Sequence, residues 1–205
     1  MYLFRHLKIT HKPIEMQQPQ HFHPVTACQD GVFNTSSGKL VNLHQPTEDM
    51  IDVQDIANAL SKICRFGGHS SLFYSVAQHS VLVSAMCADL PKEGLMHDAS
   101  EAYLGDVIKP LKIILGAAYA NLETNFEAIL SGKYGLALDK GTKSIIKRFD
   151  IRALELEHRA FIMGDPAPLL AEMNRLDLIK DDLYAWSPDL SKKMFLLRFR
   201  ELYNY

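Results

Sequence analysis

A chain of 205 residues, 47% hydrophobic and 22% charged, carries enough apolar mass for one substantial core and too little length for two. Its net charge of -2 argues against a nucleic-acid polymer as partner. No apolar run approaches the ~18 residues needed to cross a bilayer, and the opening "MYLFRHLKITHKPIEMQQ" lacks the apolar core of a signal peptide. Three cysteines, Cys28, Cys64 and Cys87, are odd in number and show no CxxC spacing, so they are expected as reduced thiols of a cytoplasmic protein.

Residues 1–34 are expected to form an irregular N-terminal extension, since Pro13, Pro19 and Pro24 interrupt any helix, and residues 35–205 a single all-α domain. His21 and His23 read as polar loop residues because no third ligand lies near them. "SGKLVNLHQP" alternates weakly after a turn-like Ser-Gly and predicts a short strand or hairpin. From Asp52 the periodicity is helical. "DVQDIANALSKICRF" sets Val53, Ile56, Leu60 and Ile63 on one stripe and ends at Gly67-Gly68. "SLFYSVAQHSVLVSAMCA" follows with a stripe of Leu72, Val76, Val83 and Cys87. "PKEGLMHDASEAYL" comes next, with Pro91 suited to a first turn. "YANLETNFEAILSGKYG" stops at glycines, and a long helix is predicted from about Thr142 to Met163. Two more are predicted, around Leu169–Ile179 and Leu190–Tyr203.

Several polar residues stand where the apolar faces point. His79 falls on the stripe of Val76 and Val83, where the ordinary reading is a core histidine with its hydrogen bonds satisfied. Asp150 has Ile146, Ala153, Leu154 and Phe161 on its side of the long helix. A salt bridge to Arg65 or Arg152 is the ordinary account of a buried aspartate. His97 and Asp98 are adjacent and can reach one point beside their helix, with Glu101 on the next turn. Leaving even an uncharged polar group buried without a partner costs roughly 2–7 kcal/mol. A divalent cation would compensate all of these residues together, and imidazole plus carboxylate donors suit Mn²⁺, Fe²⁺, Co²⁺ or Zn²⁺, with Mg²⁺ and Ni²⁺ also admitted.

The order His79, His97-Asp98, Asp150 on helices resembles the HD superfamily of metal-dependent phosphohydrolases. "YSVAQHSVLV", "GLMHDASEAYLGDVIKPLK" and "KRFDIRAL" resemble the three motifs of its 5′-deoxynucleotidase (YfbR-like) branch. "DIANALSKICRFGGHSSLFYSVAQHS" is nearer still to the YfdR-like branch. The resemblance covers about residues 35–160. It implies an HD-type helical bundle holding one divalent ion on His79, His97, Asp98 and Asp150, with Glu101 handling the attacking water. It also implies Asp106 in a nucleotide pocket and Arg65-Phe66 in place of an Arg-Trp pair on phosphate and sugar. The family's GDxPxPxK reads here "GDVIKPLK", with Ile108 for the first proline and Lys109 at a position that is usually small.

The activity so implied is release of phosphate from a nucleotide, foremost a (deoxy)nucleoside 5′-monophosphate. Asp98 and Glu101 are then the catalytic pair, Glu101 acting as general base or passing a proton to the leaving oxygen. Lys112, Arg65 and His69 are candidates to neutralise phosphate charge, although a solvated loop suits His69 and Lys112 equally. Two alternatives use the same site: a deoxynucleoside triphosphate triphosphohydrolase, and a catalytically silent metal- and nucleotide-binding regulator. Glu157, seven residues after Asp150, is expected to pair with Arg152 or Arg159, with orientation of a metal ligand as the other reading. Protons compete with metal at ordinary histidines, so affinity and activity are expected to fall on acidification through about pH 6. Homodimerisation is implied by resemblance alone.

Overall fold

The computed structural model describes residues 31–178 and 183–204, so His21, His23, Cys28 and the expectation for residues 1–30 lie outside it. The predicted turn closes an antiparallel hairpin, β1 (Val32–Asn34) with β2 (Leu40–Asn42), in the register Val32↔Asn42, Phe33↔Val41 and Asn34↔Leu40. Because β1 precedes residue 35, the expected boundary at 34/35 cuts through a paired hairpin; the folded part already includes Val32. Asp55 ties this hairpin to the first helix by accepting from Ser36 Oγ at 2.7 Å, Ser37 N–H at 2.8 Å and Ser37 Oγ at 2.5 Å. Burial pushes the Asp55 carboxyl up, but the donors of Ser37, Ser36 and Thr35 outweigh it and hold the group below the usual carboxylate range.

Among the described residues every named element after the hairpin is a helix, as the periodicity predicts: an all-α bundle. The helix α1 (Val53–Leu60) starts where Asp52 accepts the Gln54 N–H at 2.8 Å. It stops at Leu60, before Ile63 of the expected stripe and well before the expected end at Gly67-Gly68, and the chain then makes a tight 3-10 turn over Arg65–Gly68. There Phe66 itself takes φ +57°, a left-handed backbone that a bulky side chain adopts only under constraint. The helix α2 (Val76–Met86) is the centre of the bundle, and every residue from Val76 to Ser84 is buried. It packs against α3 (Pro91–Met96), α6 (Lys140–Phe161) and α8 (Pro188–Tyr203). The stripe expected on α2 is therefore a full cylinder, and Leu72 lies before the helix with 46% of its surface exposed.

Gly94 explains how closely α3 lies on α2. A Cβ at this position would stand 3.0 Å from the Ser84 Cα and 3.2 Å from its backbone nitrogen. The pattern of "PKEGLMHDASEAYL" predicts one helix, but the structure divides it. It breaks at His97 to Ser100 and resumes as α4 (Glu101–Leu104), joined by short i to i−3 bonds from Ala99 to Met96 and from Glu101 to Asp98.

The helix α5 (Lys109–Tyr134) begins ten residues before the predicted Tyr119 and is broken by Gly116 at φ +60°, ψ −141°. Ahead of that break Ile113 and Ile114 stand 71% and 80% exposed. After α6 come α7 (Ala167–Arg175) and α8, both near their predicted positions. Among the described residues, Cys64 and Cys87 are free thiols, and no helix is long and apolar enough to cross a membrane.

Candidate metal centre

Local capping sets where the first donor points. Ser75 Oγ accepts the Gln78 N–H at 3.1 Å, which fixes the first turn of α2, and His79 projects from that turn with none of its surface exposed. On the facing side the tightened turn after α3 presents His97 and Asp98 side by side. Asp150 comes from the middle of α6. The His79 Nε2 atom stands 3.3 Å from His97 Nε2, 3.3 Å from Asp150 Oδ1 and 3.5 Å from Asp98 Oδ2, and His97 Nε2 is 3.2 Å from Asp98 Oδ2. His79, His97 and Asp98 offer atoms all within 4.8 Å of one another, and Asp150 joins them through His79.

These spacings suit a single ion. Donors about 2.1 Å from one centre stand about 3.0 Å apart at a right angle and about 3.4 Å apart at the tetrahedral angle. The far side of each imidazole is equally informative. His97 Nδ1 lies 2.9 Å from the Gly94 carbonyl, and His79 Nδ1 lies 2.6 Å from Glu157 Oε1. Both acceptors call for a proton on Nδ1, which turns both Nε2 atoms to the same point. Two histidines and two carboxylates, from α2, α6 and the turn between α3 and α4, could hold a divalent cation.

Glu157 departs from its expected ion pair with Arg152 or Arg159. Its Oε1 takes the His79 Nδ1–H, its Oε2 accepts from Arg65 Nε at 3.1 Å, and it is fully buried. Arg152 turns outward to Glu155 and Arg159 to Asp165. The salt bridge considered for Asp150 with Arg65 or Arg152 is also absent; its Oδ2 takes Lys147 Nζ at 2.6 Å and its Oδ1 faces His79. Burial and the Arg65 charge press the His79 imidazole down, yet Glu157 and Asp150 overcome them and raise it to about 9. Without an ion His79 Nε2 thus keeps a proton towards Asp150, which a cation would have to displace, so proton competition sits above the pH near 6 expected of an ordinary imidazole. Asp98 and Asp150 resist burial and stay ionised well below the usual range, Asp98 beside His97 and His79, Asp150 beside His79.

No family model matches the chain. It is 37% identical over 173 residues to the uncharacterized protein YfdR of Escherichia coli K12, an alignment covering 83% of this chain and 94% of that one. The chain belongs to the YfdR family. An uncharacterized protein of Rhodobacter capsulatus is 33% identical over 156 residues, covering 65% of this chain and 80% of its own.

In this YfdR-family member a cavity of about 600 Å³ opens beside the donor cluster, lined by His97, Asp98, Glu101, Lys112 and Asp150. Glu101 is buried, and its Oε2 finds no hydrogen-bond partner among the described residues. Burial, then repulsion from Asp98 and Asp106, pushes its carboxyl up to about 10, against the pull of Lys112 and Arg65. Lys112 Nζ lies 2.7 Å from Glu123 Oε1 and 3.6 Å from Glu101 Oε1. Three further lysines that the sequence reading passed over, Lys140, Lys143 and Lys147, line the same cavity. Their steps of three and four residues, continued to Asp150, were the available signal.

The remaining expected substrate residues do not line it. Arg65 is buried behind the cluster, with its NH1 3.8 Å from Asp98 Oδ2. Phe66 lines a separate shallow groove with Ile151 and Leu154, and His69 is exposed on its loop. Asp106 is half-buried; burial pushes its carboxyl up while Arg65 draws it down.

Proposed function

We propose that this YfdR-family chain is a divalent-metal-dependent phosphohydrolase that releases phosphate from a nucleotide, foremost a (deoxy)nucleoside 5′-monophosphate. The carrying observation is the pair of imidazoles facing each other at 3.3 Å, each with its Nδ1 engaged elsewhere, beside two ionised aspartates. A core that needed only satisfied histidines would not turn two Nε2 atoms and the Asp98 carboxylate to one point, with Asp150 against His79. The motif resemblance to HD phosphohydrolases supports the same reading, and the free thiols of Cys64 and Cys87 favour a cytoplasmic setting.

His79, His97, Asp98 and Asp150 would hold the ion. When bound, such an ion supplies Lewis-acid polarisation of a phosphoryl oxygen and acidifies water. The protein's own residues do the rest. The cavity beside Asp98 and Asp150 receives the phosphate ester, and Lys112 lies across it to balance phosphate charge. Water adds to phosphorus as the bond to the 5′-oxygen breaks. Glu101, whose burial favours the neutral carboxyl, would give its proton to that leaving oxygen and recover one from the incoming water. Of the two roles expected for Glu101, burial therefore favours the proton donor.

A product-resolved screen of mono-, di- and triphosphates with Mn²⁺, Co²⁺ and Mg²⁺, beside elemental analysis of the purified protein, tests this. Glu101→Gln is expected to keep metal and slow turnover by about 10²–10⁴-fold. Failure of every nucleotide to release phosphate defeats the proposal. A second reading, cleavage of a deoxynucleoside triphosphate, is favoured by Lys140, Lys143 and Lys147 around the same cavity, and tripolyphosphate among the products would distinguish it.

A further inference from the structure

Tyr74 lies just before α2, at the head of "YSVAQHSVLV", where no role falls to it, yet it reaches the donor cluster through one intermediary. Its hydroxyl donates to Glu157 Oε1 at 2.9 Å, the same oxygen that receives the His79 Nδ1–H at 2.6 Å. The other carboxylate oxygen is taken by Arg65 Nε at 3.1 Å. Glu157, Tyr74 and His79 are all fully buried, so this carboxylate is oriented by protein donors rather than by solvent.

The backbone around Tyr74 is fixed as firmly as its side chain. The Arg65 N–H donates to the Tyr74 carbonyl at 2.9 Å, and Cys64 and Ser75 form an isolated antiparallel bridge. The ring stacks on Phe161 with centroids 4.3 Å apart. Packing alone would be met by a phenylalanine. What the hydroxyl adds is a second donor on Oε1, and two donors on one oxygen with a third on the other fix the carboxylate's rotation. The plane of the His79 imidazole follows from that rotation, because its Nδ1–H must lie along the accepting lone pair.

We infer that Tyr74 is a positioning residue of the metal centre: acting through Glu157, it sets the direction in which His79 Nε2 meets a divalent cation. The inference rests on the metal reading above and extends it to a residue that touches neither ion nor substrate. A merely structural Tyr74 would affect folding and leave the metal's environment as it was.

The test uses the full chain with Co²⁺, whose visible absorption reports ligand geometry and needs no turnover. Tyr74→Phe keeps the stacked ring and deletes only the donor. It is expected to raise the Co²⁺ dissociation constant about tenfold and to alter the visible band. Phe161→Leu disturbs the packing and leaves the donor in place; it is expected to lower the thermal midpoint without changing Co²⁺ affinity or spectrum. Wild-type affinity and spectrum in Tyr74→Phe would overturn the inference alone, as would an equal loss of affinity in Phe161→Leu. A wild-type chain that binds no Co²⁺, Mn²⁺ or Zn²⁺ would overturn the metal reading and this inference with it.

Discussion

Replacing Glu157 with glutamine alters one atom's chemistry at a fully buried carboxylate that now accepts from Tyr74, His79 and Arg65. Whichever way the amide is turned, its NH₂ meets a donor: Arg65 Nε on one side, His79 Nδ1–H on the other. Hydrogen bonds to a charged group contribute about 1.5–3 kcal/mol each, and at least one is lost outright. The larger cost falls on Arg65. Its nearest other anion is Asp98 at 3.8 Å, so a buried guanidinium loses its close partner. Breaking a buried ion pair from one side typically costs about 3–5 kcal/mol, a large share of the ~5–15 kcal/mol by which a domain is stable.

Urea unfolding at pH 7 should therefore show Glu157→Gln about 3–5 kcal/mol less stable than wild type. Arg65→Met should lose a comparable amount, for the converse reason. The double variant removes both charges, so its loss should fall short of the sum by about 0.5–3 kcal/mol. A Glu157→Gln variant within about 1 kcal/mol of wild type, below the typical cost of such a break, would show that the buried cluster is not electrostatically closed as described.

Asp150→Asn should abolish ion-induced stabilisation. Wild type at a hundredfold excess over its dissociation constant should gain about 2.7 kcal/mol from Mn²⁺, read as a raised thermal midpoint, and an equal gain in the variant would remove Asp150 from the ligand set. Gly94→Ala drives a methyl to within 3.0 Å of the Ser84 backbone and should cost about 1–3 kcal/mol in urea unfolding; an unchanged midpoint would mean that α2 and α3 separate freely. For Asp55, whose folded carboxyl is held below its unfolded value of 3.8, the stabilisation is present above pH 3.8 and lost as pH falls through the lower folded value. The gap in stability between wild type and Asp55→Asn should thus be level near neutrality and shrink on acidification below about pH 4, whereas a gap that widens in acid would reverse the assignment.

How far each residue's place could be anticipated depends on whether its cause was local. His79, Asp98 and Asp150 were legible because a polar group on an apolar face is a local contradiction, visible at helical spacing. The hairpin and the start of α1 were legible for a similar reason, since a Ser-Gly turn and a cap such as Asp52 act on their immediate neighbours; the start of α2 was not, because Leu72 keeps the helical spacing although Ser75 caps the helix three residues later. The break after Met96 was not, because nothing in "GLMHDAS" forbids a continuous helix; the turn tightens where His97 and Asp98 face α2 and α6. Tyr74 had no periodicity to betray it. Arg65 was expected among substrate contacts and lies behind the cluster instead, because its partner Glu157 comes from 92 positions along the chain.

By itself the sequence determined the all-α class, the order of the helices and which polar side chains had to find partners, because helical periodicity and capping are short-range properties of neighbouring residues. Only the tertiary structure decided which partners they found. Glu157 met His79 rather than Arg159 because α6 lies against α2, and four lysines share a cavity with Asp150 because α5 and the turn after α3 face one side of α6. Spacing along a chain bounds which face a side chain occupies. What stands opposite that face is settled by packing.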